Sequence, residues 1–118
     1  MEGPGQYVDV YVTPVARTKL EAFKKFGADM SKMAAKHGAL FYAHFIADDV
    51  KPGKQTSFPQ AVMLKDGEVV GISWAVYQSR EDRDRVNKDM MDDPTFHESF
   101  KDAPFDMQRM FMGGFKAI

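Results

Sequence analysis

Asp9, Tyr11 and His44 are the residues through which this chain could move a proton. Of the three histidines, His37, His44 and His97, no two fall in an H-x-x-x-H or H-x-H arrangement, so spacing supports no metal site. His37 closes a helical stripe and reads as a partner of the helix C-terminus. His44 sits mid-strand among aromatics. It reads first as a structural, hydrogen-bonded histidine and second as an acid–base group. Asp9 lies mid-strand between Val8 and Val10, where a carboxylate is costly unless paired or wet. It is either a general base with a pKa raised by burial or, the better reading, a salt-bridge partner of Arg109 or a dimer contact. Tyr11, two residues on, shares its face and is placed to donate to a bound oxygen or simply to pack.

A second set could hold a ligand rather than transform one. Tyr42, Trp74, Arg109 and Met112 are its candidates. Trp74, the only tryptophan, reads as an interface anchor before it reads as a stacking platform. Met107, Met110 and Met112 supply soft apolar surface, usually core filling, which also suits a pocket for a flat hydrophobic molecule. "DDVKPGK" lacks the glycine pattern of a phosphate cradle and the ligand spacing of an EF-hand. "REDRDR" reads as a solvated helix face laced with near-neighbour ion pairs. With no G-x-S-x-G, dinucleotide fingerprint or Walker sequence, no cofactor is expected.

The elements that must position these residues are legible from period. "YVDVYVTPV" (7–15) alternates, with Val8, Val10 and Val12 opposite Tyr7, Asp9, Tyr11 and Thr13, and Pro14 is expected to end the strand. Leu20, Phe23, Gly27, Met30, Ala34 and His37 then follow helical spacing to a stop at Gly38. Gly27 inside that stripe loses about 1 kcal/mol of propensity, which implies close approach to a sheet. "ALFYAHFIA" (39–47) is a second strand. "SFPQ" has capping-box spacing and predicts a short helix over 58–64, against a rival strand through 62–65. "VVGISWAVYQ" (69–78) is the third strand. Ser79 opens a second long helix, Asp93-Pro94 starts a short one, and 109–118 closes as a fourth strand, with Gly113-Gly114 marking a bulge or a close contact.

The order β-α-β-(loop)-β-α-β is an α+β, ferredoxin-like plan, an antiparallel sheet with helices on one face. At 118 residues one domain over 7–118 is expected, behind a loose leader over 1–6. Apolar side chains project from both faces of these strands, yet two long helices cover only one. A bare face would exceed the patch a monomer tolerates, so a homodimer packing sheet on sheet is expected, with two-fold symmetry.

"YVDVYVTPV", "HGALFYAHFIADDVKPGKQTSFPQAV", "SWAVYQSREDRD" and "APFDMQRMFMGGF" resemble segments of the YbaA-like family of small bacterial proteins. That family carries a domain of unknown function in the dimeric α+β barrel superfamily. The resemblance runs from Tyr7 to Phe115. It implies a ferredoxin-like protomer pairing with its twin around a shared barrel, and no established activity. Members tend to an acidic residue where His44 stands, so a role held by that acid does not carry over.

Net charge is -1, which gives no electrostatic case for nucleic acid or an anionic membrane. No apolar run reaches the ~18 residues of a membrane span. The chain has no cysteine, which suits a reducing compartment, so a cytoplasmic location is expected. Two functions remain. One is a dimer binding a small apolar or aromatic molecule in the barrel. The other, by superfamily analogy, is a cofactor-free monooxygenase or isomerase acting on aromatic or polyketide-like compounds. Residues 48–68, irregular but stiffened by Pro52 and Pro59, read as an arm shaping the barrel mouth or the dimer edge.

Overall fold

The computed structural model describes residues 6–118. The elements are β1 (Tyr7–Ala16), a 3-10 turn (Arg17–Lys19), α1 (Leu20–His37), β2 (Phe41–Ile46), α2 (Phe58–Ala61), β3 (Glu68–Tyr77), α3 (Arg80–Met91), α4 (Pro94–Phe100) and β4 (Phe111–Lys116). The strands form one antiparallel sheet in the order β2-β3-β1-β4. That is the expected ferredoxin-like plan. The leader expected over 1–6 falls mostly on residues 1–5, outside the described residues. Gln6 adjoins β1, and its carbonyl accepts from the Ala117 N–H at 2.9 Å.

Alternation decides which face each side chain takes. The register sets Val8 opposite Val76 and Phe115, Val10 opposite Trp74, and Val12 opposite Ile72 and Phe111. Phe41, Ala43 and Phe45 of β2 join the same face. Its charged strand residue, Glu68, stands at one end opposite Ala16, and the rest of the face is apolar and open: Phe41 is 57% and Phe115 59% exposed. The helices take the other face, the one with Tyr7, Asp9, Tyr11 and Thr13. The more polar side is therefore the buried one.

Local chemistry explains most boundaries. Gly38 ends α1 at φ 112, in the left-handed region, with its N–H returned to Ala34 and Ala35 carbonyls. Ser57, Ser79 and Asp93 each cap the following helix through a side-chain oxygen. Helix rather than strand follows Ser57, but it stops at Ala61 instead of 64. Pro14 does not end β1, which continues to Ala16. Its carbonyl faces away from β3 and accepts from the Asp106 N–H, so its missing N–H falls on a side where β4 has already stopped pairing. Gly114 makes a close contact with no break in register: a Cβ there would meet Cζ of Tyr7 at 2.8 Å.

The arm is exposed and irregular over 48–56, then folds back through α2. Val62, fully buried, packs on Val12 and Val70 at one end of the open face. Arg109 holds this return in place. Its guanidinium bonds Glu68 at 2.8 and 2.7 Å, Asp106 at 2.8 Å and the Met63 carbonyl at 3.1 Å.

Candidate functional site

Four strands lay one row of side chains across the helix-facing side: His44, Ser73, Tyr11 and Met112, each paired with the next. Above the row, α1, α3 and α4 do not close onto the sheet. A cavity of about 300 Å³ remains, roofed by Phe23, Phe26 and Met30, by Met90, and by Phe96 and Phe100. The sequence places the site inside a barrel between two sheets; the structure opens it within one protomer, between sheet and helices. β1 turns Tyr11 toward the helices, where it lines this cavity.

His44 is locked. The Phe23 carbonyl, 3.0 Å from Nε2, can only accept, so Nε2 carries the proton. Nδ1 of the neutral ring then accepts from the Ser73 hydroxyl at 2.7 Å. The Phe23 ring lies 4.0 Å away, centroid to centroid. Gly27 lets the imidazole in: a Cβ on residue 27 would overlap the ring, with Nε2 only 2.7 Å off. Burial pushes the His44 pKa down, against the hydrogen bond to Phe23. Gly27 in the α1 stripe thus marks close approach, as expected, and its partner is His44.

Tyr11 lines the cavity, and no group among the described residues bonds its hydroxyl. That oxygen is not walled in either. Burial, chiefly, pushes its pKa well up, so it stays a protonated donor. Tyr42 also lines the cavity, with its hydroxyl interacting with Ser73 and its pKa raised by burial.

Asp9 occupies the adjoining row and does not reach the cavity. It is fully buried, and its partner is not Arg109. Arg83 Nη1 donates at 2.7 Å and Asn87 Nδ2 at 3.3 Å. Arg109 sits just before β4, tied to Glu68, whereas α3 brings Arg83 and Asn87 over Asp9. Desolvation raises the Asp9 pKa, and Asn87 and Arg83 oppose that rise. Arg83 also covers the Tyr7 ring, 4.8 Å from its centroid. Trp74 lies on the open face, 4.7 Å from the Phe45 ring, away from the cavity. The row thus unites His44, Tyr11 and Met112, Tyr42 stands beside it, and Asp9, Trp74 and Arg109 lie elsewhere. His37 meets Asp93, the cap of α4, at 2.9 Å.

Ser73, Asn87 and Tyr77 line the cavity without having been singled out in the sequence. A signal existed for Asn87. Arg83, Val86, Asn87 and Met90 fall at helical i, i+3, i+4, i+7 spacing, so two polar residues of the charged run belong to the inward stripe. "REDRDR" is accordingly not a wholly solvated face.

The family model described as "Protein of unknown function (DUF1428)" matches residues 6–107. The chain belongs to the DUF1428 family. It is 39% identical over 113 residues to the uncharacterized protein YbaA of Escherichia coli K12, covering 96% of this chain and 97% of that protein; YbaA of Shigella flexneri matches equally. Among solved structures, this DUF1428 chain resembles a NIPSNAP family protein from Agrobacterium tumefaciens, at 10% identity and TM-score 0.62, covering 100% of this chain and 90% of that one. A variant of SnoaB, a cofactor-independent oxygenase from Streptomyces nogalater, is similar at 17% identity and TM-score 0.58, covering 95% and 92%. A dimeric ferredoxin-like protein from an uncultured marine organism is similar at 10% identity and TM-score 0.54, covering 96% of each chain. At such identities the likeness speaks to the fold alone.

Proposed function

We propose that this DUF1428 protein is a cytoplasmic homodimer in which each protomer binds one small, flat apolar or aromatic molecule in the cavity above the His44–Ser73–Tyr11 row. The observation that carries the reading is the cavity itself. About 300 Å³ of space, walled by aromatic and methionine side chains, lies where a domain of this size would otherwise pack its core. Calorimetric titration with naphthalene is expected to show one site per protomer. Ala34→Phe, which places a ring where Ala34 now lines the space, is expected to abolish that binding. Absence of binding heat from the native protein at two well-separated temperatures would end the proposal.

The dimer reading rests on the open sheet face, apolar from Phe41 to Phe115 and far larger than scattered exposed residues would make it. A second copy buries the same patch on both partners, with the 48–68 arm flanking one end. Phe45→Arg combined with Phe115→Arg is expected to turn a dimer into a monomer in sedimentation at micromolar concentration. A native protein already monomeric there would refute it.

The enzymatic alternative, a cofactor-free monooxygenase or isomerase of aromatic or polyketide-like compounds, draws support from SnoaB, described as a cofactor-independent oxygenase. Against it, His44 has both ring nitrogens engaged and Asp9 is held by Arg83 outside the cavity. Neither is free to take a proton from a bound molecule, so binding without turnover is the reading we adopt.

A further inference from the structure

We infer that the cavity selects an uncharged, flat molecule that presents one hydrogen-bond-accepting oxygen, best a carbonyl, to the Tyr11 hydroxyl. The inference rests on the ligand-binding reading above and narrows it. Two features carry it.

The first is charge. Asp, Glu, Lys and Arg make up 28% of the chain, yet none of them is among the described residues that line the cavity. The buried carboxylate of the next row, Asp9, is already matched by Arg83 and Asn87. An anion entering this space would lose its water and find no cation, a cost that excludes it. The four ionisable groups on the walls are neutral near pH 7: burial pushes Tyr11, Tyr42 and Tyr77 up and His44 down.

The second is satisfaction of donors. Ser73 gives its proton to His44, and Thr13 donates to the Gly71 carbonyl at 3.3 Å. Tyr77 donates to Asn87 Oδ1 at 3.4 Å, and Asn87 donates onward to Asp9. Tyr42 engages Ser73. Tyr11 alone among these groups has a hydroxyl with no partner among the described residues. A donor that a ligand cuts off from water needs an acceptor. An oxygen on the ligand, above the centre of the row, supplies it.

Four probes that share one ring system test this: naphthalene, 1-acetonaphthone, 1-naphthoate and 1-naphthylmethylammonium, titrated into the native protein and into Tyr11→Phe. The expected order is ketone tightest, naphthalene next, and neither ion detectable. Tyr11→Phe is expected to reduce the ratio of ketone to naphthalene affinity about tenfold, the size of one hydrogen bond. Naphthoate or the ammonium binding as tightly as the ketone would overturn the inference. So would an unchanged ratio in Tyr11→Phe, provided the variant keeps its native unfolding transition. If naphthalene binds and the ketone gains nothing over it, only this inference fails; if no probe binds, the ligand-binding reading fails and takes this one with it.

Discussion

Arg83→Met is expected to lower the unfolding free energy at pH 7 by about 3–5 kcal/mol, the penalty for stranding one member of a buried ion pair. Asp9 is fully buried, and Arg83 is its closest donor at 2.7 Å. The methionine keeps most of the packing over Tyr7 but removes the positive charge. The defect should also depend on pH. Burial already raises the Asp9 pKa above its ordinary 3.8, so the folded state prefers the protonated acid. Stabilisation from that proton is complete below about pH 3.8 and disappears as pH rises through the folded value. Losing Arg83 removes one of the influences holding the folded value down, so the loss extends over a wider range. Urea unfolding at pH 7 and again near pH 4.5 should therefore find the gap between native and variant protein smaller in acid. Asp9→Asn added to Arg83→Met should recover part of the loss at pH 7. Equal gaps at both pH values would mean that removing Arg83 does not change the titration of Asp9 between them, which would sink this account of the pair.

Gly27→Ala is the second large effect, and its sign runs against propensity. At an exposed helix position the change stabilises by about 1 kcal/mol. Here the new methyl would occupy the place of the His44 ring. The imidazole would have to leave the Ser73 hydroxyl and the Phe23 carbonyl, or α1 would have to lift from the sheet. Overpacking together with two lost hydrogen bonds leads us to expect destabilisation of about 2–4 kcal/mol. The double variant Gly27→Ala with His44→Ala separates the causes. With the ring gone the methyl fits, so the pair should be far less destabilised than the sum of the single changes, a strongly non-additive cycle in thermal or urea unfolding. Additive losses would show that Gly27 is there for some reason other than the imidazole.

The plan of the fold was readable because period and punctuation agreed. The alternation of 7–13, the 3-4-3-4 run from Leu20 to His37 and the caps at Ser57, Ser79 and Asp93 each stand in the structure where the pattern put them. Pro14 misled for a definite reason. A proline stops a ladder only on the side its nitrogen faces, and the sequence does not say which side of β1 is paired at that residue. Which face of the sheet the helices choose was equally hidden. An apolar Val8–Val10–Val12 side looks like a core, but the helices sit on Tyr7–Asp9–Tyr11–Thr13, and one partner of that choice is Arg83. A polar residue on an inward helical stripe is visible only to a reader who allows a charge to count as buried. Arg83 and Asn87 are such residues. His44 and Tyr11 were singled out on type alone; that Ser73 stands between them is a matter of register, fixed only when the strands pair.

The space above the sheet has a consequence for how long the protein survives. A chain of 118 residues has little stability to spare, and this one keeps a cavity of about 300 Å³ between its sheet and its helices. If a ligand occupies the cavity as proposed, it does the work of missing side chains, so saturation should raise the melting temperature in proportion to the logarithm of concentration. Turnover in the cell would then follow occupancy: unladen molecules open more often and meet proteases sooner, and abundance becomes a record of supply.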